Sequence, residues 1–225
     1  MQPWERIAET TASDGTSIAL RRRGQEYLIV AGGRDLMSSE DEDSARALGV
    51  LGRAALRTGS RAARILIGGL GMGYTARAAL DASTARDRID VVELVPAVVE
   101  WNETVLADLA GSPLSDARTT VVVADVRAHI RAAPNAYDAV LLDVDNGPSA
   151  LAHPANNALY GTRGLAEAWA ALRPGGVLGV WSFGDDPRFT ARLRRQRYAV
   201  EVHRVAGSRR GRGKHHRVWI ARRGA

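Results

Sequence analysis

Three acids and a run of glycines are spaced as a nucleotide-handling site would need them. Gly68-Gly69-Leu70-Gly71-Met72-Gly73 follows the apolar run Ile65-Leu66-Ile67 and precedes a helical stretch, Thr75–Asp81. Glycines at such a junction let the backbone turn sharply and approach a ligand at the positive end of the helix dipole. Gly69, Gly71 and Gly73 are therefore candidate cofactor contacts. Glu93 comes 20 residues after Gly73, at the end of the next β-like run. A carboxylate there accepts hydrogen bonds from ribose hydroxyls. Asp125 follows a third run, where an acid can contact an adenine amine. Asp143 closes a fourth, Ala139–Leu142, beside the crevice where open α/β sheets bind ligands.

These positions require a particular scaffold. From Arg64 onward short β-like runs (Ile65–Ile67, Ile89–Leu94, Thr119–Ala124, Ala139–Leu142, Val177–Trp181) alternate with helical stretches (Thr75–Asp81, Ala97–Leu109, Arg127–Ala132, Gly164–Leu172). That alternation predicts an α/β, Rossmann-like, doubly wound and mostly parallel sheet. Tyr198–Val205 and Arg217–Ala221 predict a C-terminal antiparallel hairpin with Ala206–His216 as its loop. The first 38 residues read as a short β-rich N-terminal segment, with a turn at Asp14-Gly15 and a strand Tyr27–Val30 stopped by Gly32-Gly33. Residues 39–225 then form the main domain. Ser39-Glu40-Asp41-Glu42 fits a capping box, with Ser39 as N-cap and Glu42 reaching back.

Composition removes several classes of function. With 225 residues and 45% hydrophobic content the chain can build a real core. The absence of cysteine excludes disulfide scaffolds, thiol catalysis and Cys-type zinc sites. No apolar run approaches the roughly 20 residues of a membrane span, and the charged N-terminus lacks a signal-peptide core. A cytoplasmic protein without a membrane partner is expected. The net charge of +6 is uneven: Arg188–Arg223 holds 13 basic residues against one acid, while the remainder holds 18 basic and 24 acidic residues. Arg192, Arg194, Arg195 and Arg197, with the Arg209–Lys214 loop, could bind nucleic acid, but that loop has no Phe, Tyr or Trp for stacking. Nucleic acid is therefore not the favoured partner. A homodimer in which this segment meets an acidic surface is the other reading.

Two nucleotide classes fit the glycine loop, because Gly71–Ala76 also satisfies the loose dinucleotide pattern GxGxxA. Asp125, and Leu172-Arg173-Pro174-Gly175-Gly176 turning into the fifth run, argue against a dinucleotide. The order of glycine loop, Val92-Glu93, Ala124-Asp125, Leu142-Asp143 and Leu172–Gly176 resembles the class I S-adenosylmethionine-dependent methyltransferases. Within these it is similar to the spermidine synthase-like, polyamine aminopropyltransferase-related branch. Ile67–Gly73 resembles their IGGGDGG loop, Val91–Glu100 their VEIDPEVVE stretch, and Tyr137–Asp143 the YDVIIxD strand that carries their catalytic aspartate. The chain also departs from them. Their loop usually has an acid that this chain lacks between Ile67 and Gly73, where Leu70 and Met72 interrupt the glycines. Their DxxDP motif reads Asp143-Val144-Asp145-Asn146-Gly147. Their Tyr-His pair, which holds the polyamine chain, is replaced near Ala45 and Arg46.

The resemblance implies S-adenosylmethionine or decarboxylated S-adenosylmethionine as cofactor and a small-molecule, amine-type acceptor. Against a sulfonium electrophile the protein has mainly to align the nucleophile and take up its proton. Asp143 is the expected catalytic base, with Asp145 as a second cation holder. Asn146 stands at the family's second acidic position, and Tyr160 could face substrate from the loop that also holds His153, Asn156 and Asn157. Because the polyamine-holding positions differ, methyl transfer is the first expectation and aminopropyl transfer the alternative. A non-catalytic RNA-binding or regulatory protein is the third. Trp181 and Phe183 are expected to pack on the sheet.

Overall fold

Two-residue turns organise the start of the chain. The computed structural model describes residues 2–57, 61–144, 147–148, 158–207 and 215–224. Strands β1 (Glu5–Thr11), β2 (Ser17–Arg23), β3 (Glu26–Ala31) and β4 (Arg34–Ser38) form a four-stranded antiparallel sheet in chain order. Gly32 and Gly33 take φ of 56° and 77° between the paired residues Ala31 and Arg34. Two consecutive positive φ values suit a tight hairpin turn, so these glycines end β3 as expected and also turn the chain into a further strand, β4, that was not expected. Ile18, Leu20 and Ile29 turn inward from this sheet to the core.

The expected capping box is displaced by one residue. Ser38, not Ser39, is the N-cap, its hydroxyl accepting from Glu40 N at 3.1 Å at the head of a 3-10 turn, Ser39–Asp41. Ser39 Oγ instead accepts from Tyr27 N at 2.9 Å, and Glu42 pairs with Arg46 at 2.6 Å. Helix α1 (Glu42–Ala54) follows, then β5 (Arg64–Gly68), α2 (Tyr74–Asp81), β6 (Arg88–Glu93) and α3 (Pro96–Glu103). Helix α3 stops well short of Leu109: Leu106 N donates to Trp101 O at 2.8 Å, and turns run on to Gly111. Strand β7 (Thr119–Val123), α4 (Val126–Ala132), β8 (Tyr137–Leu142), α5 (Thr162–Ala171), β9 (Leu172–Ser182), α6 (Pro187–Arg195), β10 (Ala199–Ala206) and β11 (His215–Arg222) complete the order.

The larger sheet runs β10-β11-β9-β8-β5-β6-β7. Strands β5 to β9 are parallel, and β11 and β10 add antiparallel at one edge. This is the doubly wound, mostly parallel sheet with a C-terminal hairpin. Apolar side chains from α1, α2, α3 and the N-terminal sheet cover one face, and those from α4, α5 and α6 cover the other. All six residues of β8 are buried, with Val140, Leu141 and Leu142 fully so. Each such side chain contributes roughly 1.5–3 kcal/mol, which makes β8 a firm platform for the residue at its end. The chain passes outward from β5 through β6 to β7, then returns to β8 on the other side of β5. The switch point between β5 and β8 is where such sheets open a ligand crevice.

The opposite ends of the strands are basic. Arg64, Arg88 and Arg173 stand at or near the starts of β5, β6 and β9, and with Arg61 and Asp90 they line a shallow pocket of about 470 Å³. Asp138, early in β8, pairs with Arg61 and with Arg173 at 2.7 Å and accepts from Arg64 N at 2.8 Å. Among the described residues no helix is long and apolar enough to cross a membrane.

Candidate active site

The glycine loop is stitched to its neighbours by main-chain bonds. Gly69 N donates to Val92 O at 2.9 Å, and Asp143 N donates to Gly68 O at 2.9 Å. Gly69 has φ +86°, and a Cβ built there would lie 2.4 Å from the Asp143 carbonyl oxygen. Gly71 is packed almost as closely: its Cβ would meet Met37 Sδ, from β4, at 2.7 Å. Gly73 serves a different purpose. It caps α2 with φ 82° and faces Pro113 and Asn102.

Glu93, at the end of β6, is 8% exposed and holds the loop. Its Oε2 accepts from Leu70 N at 2.8 Å and its Oε1 from Val95 N at 2.9 Å. Each oxygen has further lone-pair capacity, so a carboxylate fixed this way can still accept from ribose hydroxyls. Asp125 is the N-cap of α4, accepting from Ala128 N at 2.7 Å, and is exposed on the cleft wall. Its dual placement suits a small side chain that caps one element and faces another group.

Asp143 follows β8 at the switch point. Its Oδ2 accepts from the Thr75 hydroxyl at 2.5 Å, and burial pushes its carboxyl up to about 6, with that hydrogen bond pulling it back. A carboxyl with such a proton affinity is matched to taking a proton near neutral pH. Asp143, Gly69, Gly71, Glu93 and Asp125 all line one cleft of about 940 Å³. The structure thus brings five predicted site residues together.

Others are placed elsewhere. Tyr160 is 2% exposed, its ring edge-on to Phe189 at 5.8 Å and its hydroxyl 3.4 Å from Val144 O. It buttresses the segment after β8 from the core side and does not line the cleft. Asp145, Asn146, His153, Asn156, Asn157 and the Arg209–Lys214 loop lie outside the described residues.

Sequence reasoning missed several walls of the cleft. Trp181 packs against the core as expected and also lines the cleft at the end of β9, whereas Phe183, expected to pack on the sheet, is exposed on the cleft wall. His216 is buried between them, its ring centroid 5.0 Å from that of Trp181 and 5.2 Å from that of Phe183. The hairpin places His216 there by pairing β11 with β9, a long-range register that no local pattern announces. Met37 and Thr75 carry no sequence signal either, because an ordinary apolar residue and a helix-start threonine occur in any domain. Among the described residues the cleft is lined by eight carboxylates against one arginine, Arg23, which pairs with Glu26 at 2.7 Å.

Comparison with known proteins bears on the family and the fold. The polyamine aminopropyltransferase of Mycobacterium tuberculosis is 32% identical over 166 residues, covering 72% of this chain and 30% of that protein. Polyamine aminopropyltransferase 2 of Pseudomonas aeruginosa is 33% identical over 138 residues, 58% of this chain and 37% of that one. The chain thus spans about a third of the length of the curated relatives it matches. A spermidine synthase solved with the transition state analogue AdoDATO superposes with a TM-score of 0.79 at 18% identity, covering 99% of this chain and 75% of that one. The spermidine synthase of Thermotoga maritima superposes with a TM-score of 0.75, also at 18% identity and with the same coverage, and both likenesses concern the fold. The family model for the spermine/spermidine synthase domain matches residues 26–191, and the chain belongs to that family.

Proposed function

We propose that this chain is a transferase that moves an aminopropyl group from decarboxylated S-adenosylmethionine to an amine acceptor. The observation that carries the choice of group is the charge of the cleft, eight carboxylates against the ion-paired Arg23 among the described residues. The decarboxylated cofactor is a dication, whereas S-adenosylmethionine carries an added carboxylate that such a wall repels. This reverses the order expected from sequence, where methyl transfer came first; the relatives' names point the same way.

The residues present fit a nucleoside. Gly69 and Gly71 line the cleft beside Glu93, and each is packed too closely against the Asp143 main chain or Met37 to carry a side chain. When bound, the cofactor would supply an electrophilic carbon next to a sulfonium. Glu93 and Asp125 would hold the nucleoside, Asp143 would attract the acceptor ammonium and take its proton, and Trp181, Phe183 and His216 would offer ring faces to a cationic or apolar acceptor chain. Titration calorimetry with both cofactors tests the proposal. The decarboxylated form is expected to bind at least about tenfold more tightly, the effect of roughly 1.4 kcal/mol of differential charge interaction. Tighter binding of S-adenosylmethionine would restore methyl transfer, and binding of neither would remove the enzymatic reading.

A further inference from the structure

Thr75 Oγ1 carries one hydrogen and stands within hydrogen-bonding range of two acceptors. Asp143 Oδ2 is 2.5 Å away and the Ala45 carbonyl oxygen 3.0 Å away. A hydroxyl can donate to only one of them at a time, while its lone pairs stay open to accept. Thr75 is 2% exposed, so water does not substitute for either partner. The approach is built into the helices. Gly49 of α1 would put a Cβ 2.6 Å from the Thr75 carbonyl oxygen, so only the missing side chain lets α1 close on α2 and bring Ala45 O to Thr75.

We propose that the Thr75 hydroxyl is a two-position switch that follows the proton on Asp143 and sets how tightly Asp143 holds it. With Asp143 ionised, Thr75 donates to Oδ2. When Asp143 takes a proton, its Oδ2–H donates to Thr75 Oγ1, and the Thr75 hydrogen turns to the Ala45 carbonyl. One proton is gained by the carboxyl, none is lost by Thr75, and the hydroxyl is satisfied in both states. The bond to the ionised carboxylate is the stronger of the two, so Thr75 favours the charged form against the pull of burial. Thr75 is a positioning residue in this scheme, acting through Asp143.

No other group is resolved as a cause of the Asp143 shift. The ionisable groups on the packed elements are Glu42, Asp43, Arg46 and Arg53 of α1, Tyr74, Arg77 and Asp81 of α2, and on the cleft side Asp14, Arg23, Glu26, Asp35, Glu40, Asp41, Glu93, Asp125 and His216. The catalytic consequence rests on the reading of Asp143 as proton acceptor, whereas the switch itself does not.

The test is a carboxyl-carbon NMR titration of the protein labelled at aspartate, with Asp143→Asn identifying the signal. Asp143 should titrate near pH 6 in the unaltered chain. Thr75→Val should raise its proton affinity about tenfold, moving the midpoint up by about 1 pH. Thr75→Ser should restore the original midpoint. A Thr75→Val midpoint equal to the wild-type value, or a Thr75→Ser midpoint as high as that of valine, overturns the proposal. If the valine variant does not fold, Thr75→Ala should show the same rise, and an unchanged midpoint there overturns it equally. The acid limb of kcat/KM against pH should move with the carboxyl midpoint. A midpoint that moves while the limb stays supports the switch and removes Asp143 as the proton acceptor.

Discussion

Gly69 leaves room for the main chain of Asp143: the space a Cβ would need is 2.4 Å from the Asp143 carbonyl oxygen. The glycine loop and the end of β8 are thus set against each other with no side chain between them. Gly69→Ala must both strain a φ of +86° and push Asp143 away. The expected cost is roughly 1–3 kcal/mol in stability, together with loss of nucleoside binding. Urea denaturation and calorimetry on the variant check both; full cofactor affinity would show that the loop does not hold the nucleoside.

Glu93→Gln probes the same loop from below. Glutamine offers one acceptor oxygen where Leu70 N and Val95 N both need one, and turns an amide donor toward the other. A buried donor left unmatched costs about 1–3 kcal/mol. Nucleoside affinity should fall at least about tenfold in the same protein, read by calorimetry, because the ribose would lose a charged acceptor.

Asp143→Asn should abolish turnover while leaving cofactor affinity within a few-fold of wild type, as single-turnover and binding measurements would show. It should also change the dependence of stability on pH. The folded carboxyl holds its proton up to about pH 6, above its unfolded value of 3.8. Its contribution to stability is therefore present below about pH 4 and lost as pH rises through about 6. Relative to wild type, the asparagine variant should gain roughly 1–3 kcal/mol between pH 4 and pH 7 in urea titrations. A constant difference across that range would show that burial does not raise the carboxyl.

Asp138 and Asp143 mark the two ends of β8, and they should behave as opposites. Asp138 is 3% exposed and neutralises Arg61 and Arg173 at the basic end of the sheet. Asp138→Asn should destabilise the protein by about 1–3 kcal/mol, since the Arg64 N–H and the partly exposed Arg61 and Arg173 lose their anionic acceptor. Cofactor affinity of the folded variant, measured by calorimetry, should be unchanged.

The parts of this molecule that sequence reveals are those written in local pattern. Runs such as Ile65–Ile67 and Ala139–Leu142 are short, apolar and bounded, and glycines between strand and helix have few other uses. Gly69, Gly71, Glu93, Asp125 and Asp143 were legible because each sits at a strand end, and the topology of an open sheet gathers strand ends. Strand β4 was not, because Arg34-Asp35-Leu36-Met37-Ser38 lacks a clear alternation and Gly32-Gly33 reads equally as a stop or a turn. His216, Trp181 and Phe183 meet through the β9–β11 pairing, and Thr75 meets Ala45 through a helix crossing. Such contacts depend on register and crossing distance, which residue types alone do not encode.

The arginine-lined ends of the strands, opposite the acidic cleft, give the protein an electric dipole along the strand axes. A cation diffusing toward a chain of net charge +6 is repelled at long range but steered, within about a Debye length of 8–10 Å, to the cleft mouth. For the dicationic cofactor proposed above, encounter should then be salt-sensitive: rising ionic strength screens the attraction of the cleft and shortens its reach.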